Sequence, residues 1–284
     1  MAQVDIVTRT KNRPLFMKRC LADLQKQNFR DFHWIIVNDG GDPKPVEDIV
    51  AQAKSAGLDV ELLSFTESNG MEAAGNKGAR AGNAPFITIH DDDDTWDPRF
   101  LSSTFEALKN ENYIGAVSWS TECSERVEGE DIVETSRRRS EYCPDAIDLA
   151  GLSMRNRFPP IAFLFKRTAY EAAGGFEESL DVLGDWDFNL RMLMLGDFVV
   201  IREELARYHI REAGSQNANS VTDQNFRHVQ MTANLRNKYI RKDMETGRFG
   251  LGSMMASAAM IEDAAARASY SQRFKRLRRQ ILKQ

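Results

Sequence analysis

Phe86-Ile87-Thr88-Ile89-His90-Asp91-Asp92-Asp93-Asp94-Thr95-Trp96-Asp97-Pro98 is the stretch that decides the fold. A short apolar run, of a length suited to a buried strand, ends in four consecutive aspartates. Carboxylates crowded at a strand end repel one another and resist desolvation, which leaves two remedies: a bound divalent cation, or solvation as an exposed acidic turn. One carboxylate is enough to cap a turn, so the number favours the metal. Asp97 is a separate case, because with Pro98 after it the pattern is a helix N-cap followed by proline at the first helical position.

Upstream of this strand the chain alternates apolar runs with helical patterns. Residues 4–8 form a strand, and Asn12-Arg13-Pro14 opens a helix carrying Leu15, Leu21 and Leu24. Trp34-Ile35-Ile36-Val37 is a second strand, broken by Asn38-Asp39-Gly40-Gly41-Asp42; a helix then runs from about residue 45 to Gly57. A third strand fits 60–64. A helix of small residues through Ala73, Ala74, Gly78 and Ala81 can approach a sheet closely. This alternation predicts an α/β fold with a mostly parallel central sheet and helices on both faces, in which ligands bind beyond the carboxyl ends of the strands. Residues 8–13, 38–42 and 90–94 therefore line one crevice.

Downstream, a helix is expected over 98–110 and a strand over 116–120. The charged stretch 122–139, with Arg137-Arg138-Arg139, is predicted as a solvated insertion. Strands follow at 161–165, 198–201 and 206–210, with a helix opening at Gly184-Asp185-Trp186-Asp187. The domain expectation is a unit over 1–220 and a C-terminal helical segment over 221–284. In its end, 272–284, six basic residues and no acid accompany Phe274, Leu277 and Ile281 at helical spacing. Such a basic amphipathic helix suits peripheral contact with an anionic membrane, or docking on its own domain or a partner subunit.

Composition sets outer limits. The 284 residues carry a net charge of -4, which excludes a generally basic nucleic-acid binder. Cys20, Cys123 and Cys143 show neither disulfide nor zinc spacing. The N-terminus has no charged n-region with a long apolar run behind it, and a cytoplasmic location is expected.

The ordered motifs resemble the family 2 glycosyltransferases of the GT-A (Rossmann-like) fold over roughly residues 3–212. They are Val7-Thr8-Arg9-Thr10-Lys11-Asn12-Arg13-Pro14, Val37-Asn38-Asp39-Gly40-Gly41-Asp42, Asn69-Gly70 with Asn76-Lys77-Gly78, the aspartate run at the DxD position, and Gly174-Gly175-Phe176-Glu177-Glu178 with Gly184-Asp185-Trp186-Asp187. The chain departs from the usual pattern at Lys11, Asn38, Gly75 and Gly184, the last standing where a glutamate often precedes the catalytic aspartate.

The resemblance implies transfer of a sugar from a nucleotide-diphosphate donor to a hydroxyl of a glycan or lipid-linked acceptor, with inversion, as in bacterial surface polysaccharide synthesis. It places Mn²⁺ or Mg²⁺ on Asp91 and Asp93 with His209 as a further ligand, and the donor beside Thr8, Thr10, Arg13, Asp39, Asn69, Lys77, Asp91 and Asp92. Asp185 becomes the general base and Asp187 an orienting acid. Arg80 and Arg211 are further phosphate candidates. The partners implied are the donor, the acceptor and a peripheral membrane through 272–284, without nucleic acid; a homo-oligomer is left open. Two alternatives stand beside this one. A non-catalytic nucleotide-sugar-binding module would share the fold, and Asp91-Asp92-Asp93-Asp94-Thr95 also spells the DxDxT motif of haloacid-dehalogenase-like phosphatases.

Overall fold

The computed structural model describes residues 2–141, 143–211, 225–261 and 264. Trp34, Ile35, Ile36 and Val37 are fully buried, as a strand covered on both faces requires. They belong to β2 (Phe32–Asp39), which pairs in parallel with β1 (Val4–Thr10) on one side and β3 (Val60–Phe65) on the other. β4 (Phe86–Ile89) pairs in parallel with the free side of β1. The crossovers are α1 (Pro14–Leu24), α2 (Pro43–Ser55) and α3 (Met71–Ala81). Proline opens both α1 and α2, where a missing N–H costs nothing, and the Asp42 carboxylate caps α2 by accepting from the Lys44 N–H at 3.0 Å.

α3 lies flush on the sheet because its facing residues are small. A Cβ added at Gly78 would fall 2.4 Å from Val7 Cγ1 and 3.1 Å from Val37 Cγ2. The close contact brings the start of α3 to the carboxyl end of β1, which matters for the site below.

Beyond β4 the sheet is mixed. The remaining strands are β5 (Thr95–Trp96), β6 (Tyr113–Glu128), β7 (Asp131–Arg139), β8 (Phe163–Lys166) and β9 (Asp197–Arg211). The order is β3-β2-β1-β4-β8-β6-β9-β5, with β7 paired to β6. β8 runs antiparallel to both β4 and β6, whereas β6 and β9 are parallel. The helices of this half are α4 (Phe100–Ala107), α5 (Leu149–Met154), α6 (Arg167–Ala173), α7 (Gly184–Leu193) and α8 (Asn225–Thr246), followed by a helix over 251–261. Leu235, Tyr239, Leu251 and Met255 join the same apolar core as the sheet. The stretch 272–284 lies outside the described residues.

Three elements differ from expectation. Residues 122–139 are a β-hairpin turning at Gly129 (φ +65°); its β7 arm is mostly exposed, as a solvated stretch requires, while its β6 arm buries Cys123 and Glu125. The two short strands at 198–201 and 206–210 are one strand, β9; its apolar pattern breaks at Arg202-Glu203 because the register with β6 slips beside Trp119. α4 begins at Phe100 because the Asp97 carboxylate closes a turn on the Arg99 N–H at 3.1 Å before the helix starts.

Gly78→Val should therefore destabilise the protein by about 1–3 kcal/mol through overpacking against Val7 and Val37. Urea unfolding checks this, and an unchanged midpoint would show that α3 does not sit flush on β1 and β2.

Candidate functional site

The carboxyl ends of β1, β2 and β4 open on one cleft of about 660 Å³, whose lining includes Arg9, Thr10, Arg13, Asp39, Asn69, Glu72 and Asp91 to Asp94. The segment carrying the aspartates is pinned from below. His90 is fully buried, 3.2 Å from Asp23 of α1 through Nε2, and edge-on to Trp96. The same Asp23 oxygen accepts from the Trp96 N–H at 2.8 Å, and Trp96 stacks on Phe100. Both ends of the aspartate turn are thus fixed to α1.

The four aspartates are not equivalent. Arg9 donates to Oδ1 of Asp91 through Nε at 2.8 Å and Nη2 at 2.6 Å. Arg13 Nη1 lies 3.0 Å from both Asp92 Oδ1 and Asp93 Oδ2, and Arg211 pairs with the same Asp93 oxygen. Burial alone would raise the Asp93 carboxyl, but the charges of Arg13 and Arg211 hold it below its ordinary value. Asp92 is pushed up to about 6 by burial and by the Asp93 charge, against Arg13 and the Thr10 hydroxyl, which donates at 2.7 Å. Burial and the Asp93 charge push Asp94 well up; its Oδ1 accepts from the His209 N–H at 2.8 Å. Asp92, Asp93 and Asp94 therefore differ in proton affinity, with guanidiniums supplying much of the countercharge.

A second buried carboxylate, Glu125 on β6, organises those guanidiniums. It accepts from Arg19 Nη1 at 2.6 Å and Arg211 Nη1 at 2.6 Å, and lies 2.7 Å from His209 Nδ1. Burial raises the Glu125 carboxyl, but the hydrogen bonds from His209 and Arg19 outweigh it and bring it down to about 2. The sequence places Glu125 in a solvated stretch. In the folded chain Thr121, Cys123 and Glu125 are buried in alternation, the period of a half-covered strand. The charge-rich composition masked it.

Several predicted site residues meet in the cleft: Thr10, Arg13, Asp39, Asn69, Asp91, Asp92 and Asp93 all line it. Asp39 shapes its rim, accepting from Ser68 Oγ at 2.6 Å, the Asn69 N–H at 2.7 Å and the Gly70 N–H at 3.2 Å. Others do not meet there. Thr8 is fully buried and accepts from Trp34 Nε1 at 2.8 Å, because its side chain faces α1 and the core. Lys77 donates to the Ser64 carbonyl at 2.7 Å and sits 4.0 Å over the Phe65 ring, since its turn of α3 faces β3. His209 is also outside the cleft lining; its Nε2 is 2.9 Å from Thr95 Oγ1 and its Nδ1 faces Glu125, so both nitrogens are engaged away from the aspartates. Arg80 pairs with Glu178 at the surface at 3.4 Å.

Asp185 stands at the start of α7, half-buried and outside the cleft lining, with Asn156 Nδ2 donating at 2.6 Å; burial raises its carboxyl above the ordinary value. Asp187 is fully buried and accepts from Tyr239 Oη at 2.8 Å and Arg191 Nε at 2.7 Å, so it ties α8 to α7 and does not line the cleft. Glu72, on the first turn of α3, is a cleft residue the sequence did not single out. It accepts from Arg9 Nη1 at 3.2 Å, and burial, only partly offset by Arg9, pushes it to about 7.

Among the described residues no group of three or more His, Cys, Asp or Glu side chains is arranged to hold a metal ion. Two carboxylates nevertheless suit a hard cation that takes its remaining oxygens from a bound diphosphate and water. Arg9 occupies only Oδ1 of Asp91, and Arg13 and Arg211 only Oδ2 of Asp93, which leaves one oxygen on each.

The profile of glycosyl transferase family 2 matches residues 5–170. The chain belongs to this family. The match spans the aspartate run, so Asp91 to Thr95 belongs to a family 2 strand end and not to a phosphatase loop. Among curated proteins this family 2 chain is 24% identical over 194 residues to the uncharacterized glycosyltransferase YwdF of Bacillus subtilis, covering 66% of this chain and 67% of that one. It is 27% identical over 118 residues to the uncharacterized glycosyltransferase MJ1057 of Methanocaldococcus jannaschii, covering 41% of each. Two solved structures show the GT-A architecture. S. aureus TarS 1-349 in complex with UDP-GlcNAc aligns with a TM-score of 0.60 at 17% identity, over 75% of this chain and 59% of TarS 1-349. The mannosyltransferase PcManGT from Pyrobaculum calidifontis, in complex with GDP-Man and Mn²⁺, aligns with a TM-score of 0.59 at 16% identity, over 96% of this chain and 80% of its own. The chain therefore spans well under two thirds of TarS 1-349.

Glu125 gives a pH-dependent stability. Its folded value of about 2 lies below the ordinary 4.5, so its contribution is present above pH 4.5 and lost as pH falls towards 2. Glu125→Gln should cost about 3–5 kcal/mol at pH 7, because it leaves Arg19 and Arg211 underpaired, and the mutant should lose less stability than the wild type between those pH values. Parallel urea titrations at pH 7, 4 and 3 that keep the same gap between the two proteins would contradict this.

Proposed function

We propose that the chain transfers a sugar from a nucleoside-diphosphate donor to a hydroxyl of a glycan or lipid-linked acceptor, with inversion at the anomeric carbon. One observation carries the reading: Arg9 and Arg13 converge with Asp91 and Asp93 in a single cleft at the strand ends, with Asp39 at its rim. Family membership supports it, as do neighbours described with UDP-GlcNAc and with GDP-Man and Mn²⁺.

Asp91 and Asp93 would hold Mn²⁺ or Mg²⁺ through the oxygens that the arginines leave. When bound, such a cation neutralises the diphosphate and stabilises the charge that grows on the leaving nucleotide. Arg13, which is only partly buried, lies on the cleft wall where it can meet a phosphate oxygen, and the rim made by Asp39, Ser68 and Asn69 receives the nucleoside. Asp185 takes the proton from the acceptor hydroxyl. As that oxygen attacks the anomeric carbon, the bond to the nucleotide breaks on the opposite face and the proton stays on the carboxylate. Burial of Asp185 raises its proton affinity, which suits a base, and Asn156 fixes its orientation. The acceptor is of the kind assembled into surface polysaccharide, and the basic stretch 272–284 would bring the protein to an anionic membrane carrying it. No helix among the described residues is long and apolar enough to cross a membrane.

Asp185→Asn should lower turnover about 10²- to 10⁴-fold and leave nucleotide affinity unchanged, as removal of a general base predicts. Asp93→Ala should abolish Mn²⁺-dependent binding of UDP or GDP, read by calorimetry. Wild-type turnover in Asp185→Asn, or undiminished metal-dependent binding in Asp93→Ala, would remove the residue concerned from its role.

A further inference from the structure

Gly184, immediately before Asp185, has no room for a side chain unless Glu72 moves. A Cβ there would lie 2.1 Å from Glu72 Oε1 and 2.4 Å from its Cδ, so the Glu72 carboxylate presses directly on the backbone at the start of α7. On its other side Glu72 accepts from Arg9, the same guanidinium that holds Asp91.

The start of α7 needs external support. Its N-cap is Leu183, a non-glycine residue in the left-handed region (φ +68°, ψ 12°) that makes no side-chain capping bond. A backbone in that region persists only where its surroundings hold it. From the α5 side the support is the Asn156 bond to Asp185 and the Trp186 Nε1 bond to the Leu152 carbonyl at 2.7 Å. From the α3 side it is Glu72.

We propose that Glu72 is a positioning residue for proton transfer at Asp185: wedged between Arg9 and Gly184, its carboxylate fixes the start of α7, and with it the base, relative to Asp91. This rests on Asp185 being the base. The absence of a side chain at Gly184 is then a requirement of the site, since even a methyl group would displace the carboxylate. Glu72 joins α3 to the start of α7, and α3 also rides on β1 through Gly78, so the strand that carries Arg9 and the helix that carries the base are braced against each other.

The full-length wild type, Glu72→Gln, Gly184→Ala and the double variant decide the matter. UDP and GDP with Mn²⁺ are the binding probes. Nucleoside diphosphate release from UDP-GlcNAc and GDP-mannose, with water as the acceptor, reads turnover. Each single variant should lower kcat about 10- to 100-fold, as misplacement of a reacting group does, with donor KM and nucleotide affinity unchanged. The double variant should be no worse than the poorer single, because both changes remove one contact. Glu72→Asp keeps the carboxyl group but withdraws it by a methylene, and should show the same fall in kcat even where Glu72→Gln does not fold. Wild-type kcat in Glu72→Gln or Glu72→Asp, additive losses in the double variant, or a raised donor KM at constant kcat would overturn the proposal. A wild type that binds neither nucleotide refutes the functional reading and takes the proposal with it, whereas nucleotide binding with an unaffected Glu72 variant refutes the proposal alone.

Discussion

The pairing of Asp93 with Arg13 and Arg211 is the interaction on which the site depends. A strand that discharges into four acids is stable only if their repulsion is relieved, and here the relief is built into the chain. Asp93 stays ionised between two guanidiniums, Asp94 and Asp92 are driven towards the protonated form, and Asp91 is bound by Arg9. The guanidiniums are held in turn: Arg211 and Arg19 converge on Glu125, a carboxylate contributed by a strand more than thirty residues away in the chain. Buried ion pairs of this kind add little net stability over apolar packing but are costly to break singly, so they favour one arrangement of the cleft over its alternatives.

This constraint accounts for features that are otherwise separate. β6 and β9 are long because they extend past the sheet's core to carry Glu125, His209 and Arg211 back over the aspartate turn. The antiparallel β8 separates β4 from β6 and sets the spacing of the two groups. The parallel half supplies the cleft by the usual logic of strand ends, and the mixed half supplies the charges that make an acidic strand end tolerable.

The parallel half was legible because its signals are local. A continuous apolar run such as Trp34 to Val37 identifies a doubly covered strand, and small residues such as Gly78 identify a helix that packs close. The cleft itself follows from topology, so Thr10, Arg13, Asp39 and the aspartates fall where strand-end reasoning puts them, and Asn69 falls where the family resemblance puts it. What escaped depends on partners distant in sequence. Glu125 looks like one acid among many until Arg19, Arg211 and His209 are seen converging on it, and Glu72 looks like a first-turn helix acid until Gly184 is seen against it. Thr8 and Lys77 turn away from the cleft, Thr8 into the core against Trp34 and Lys77 onto β3, orientations that depend on packing partners distant in sequence. Asp187 carries a motif position but spends both carboxylate oxygens on Arg191 and Tyr239.

If the guanidiniums neutralise the aspartate run in the protein alone, a divalent cation gains little by binding alone and much when a diphosphate arrives with it. Titration of Mn²⁺ followed by the paramagnetic resonance of the free ion, with and without UDP or GDP, measures this directly. Weak binding of the ion alone, strengthened at least about tenfold by the nucleotide, is the predicted result. Tight Mn²⁺ binding that is the same with and without nucleotide would contradict it, because the carboxylates would then be a preformed metal site and the arginines incidental.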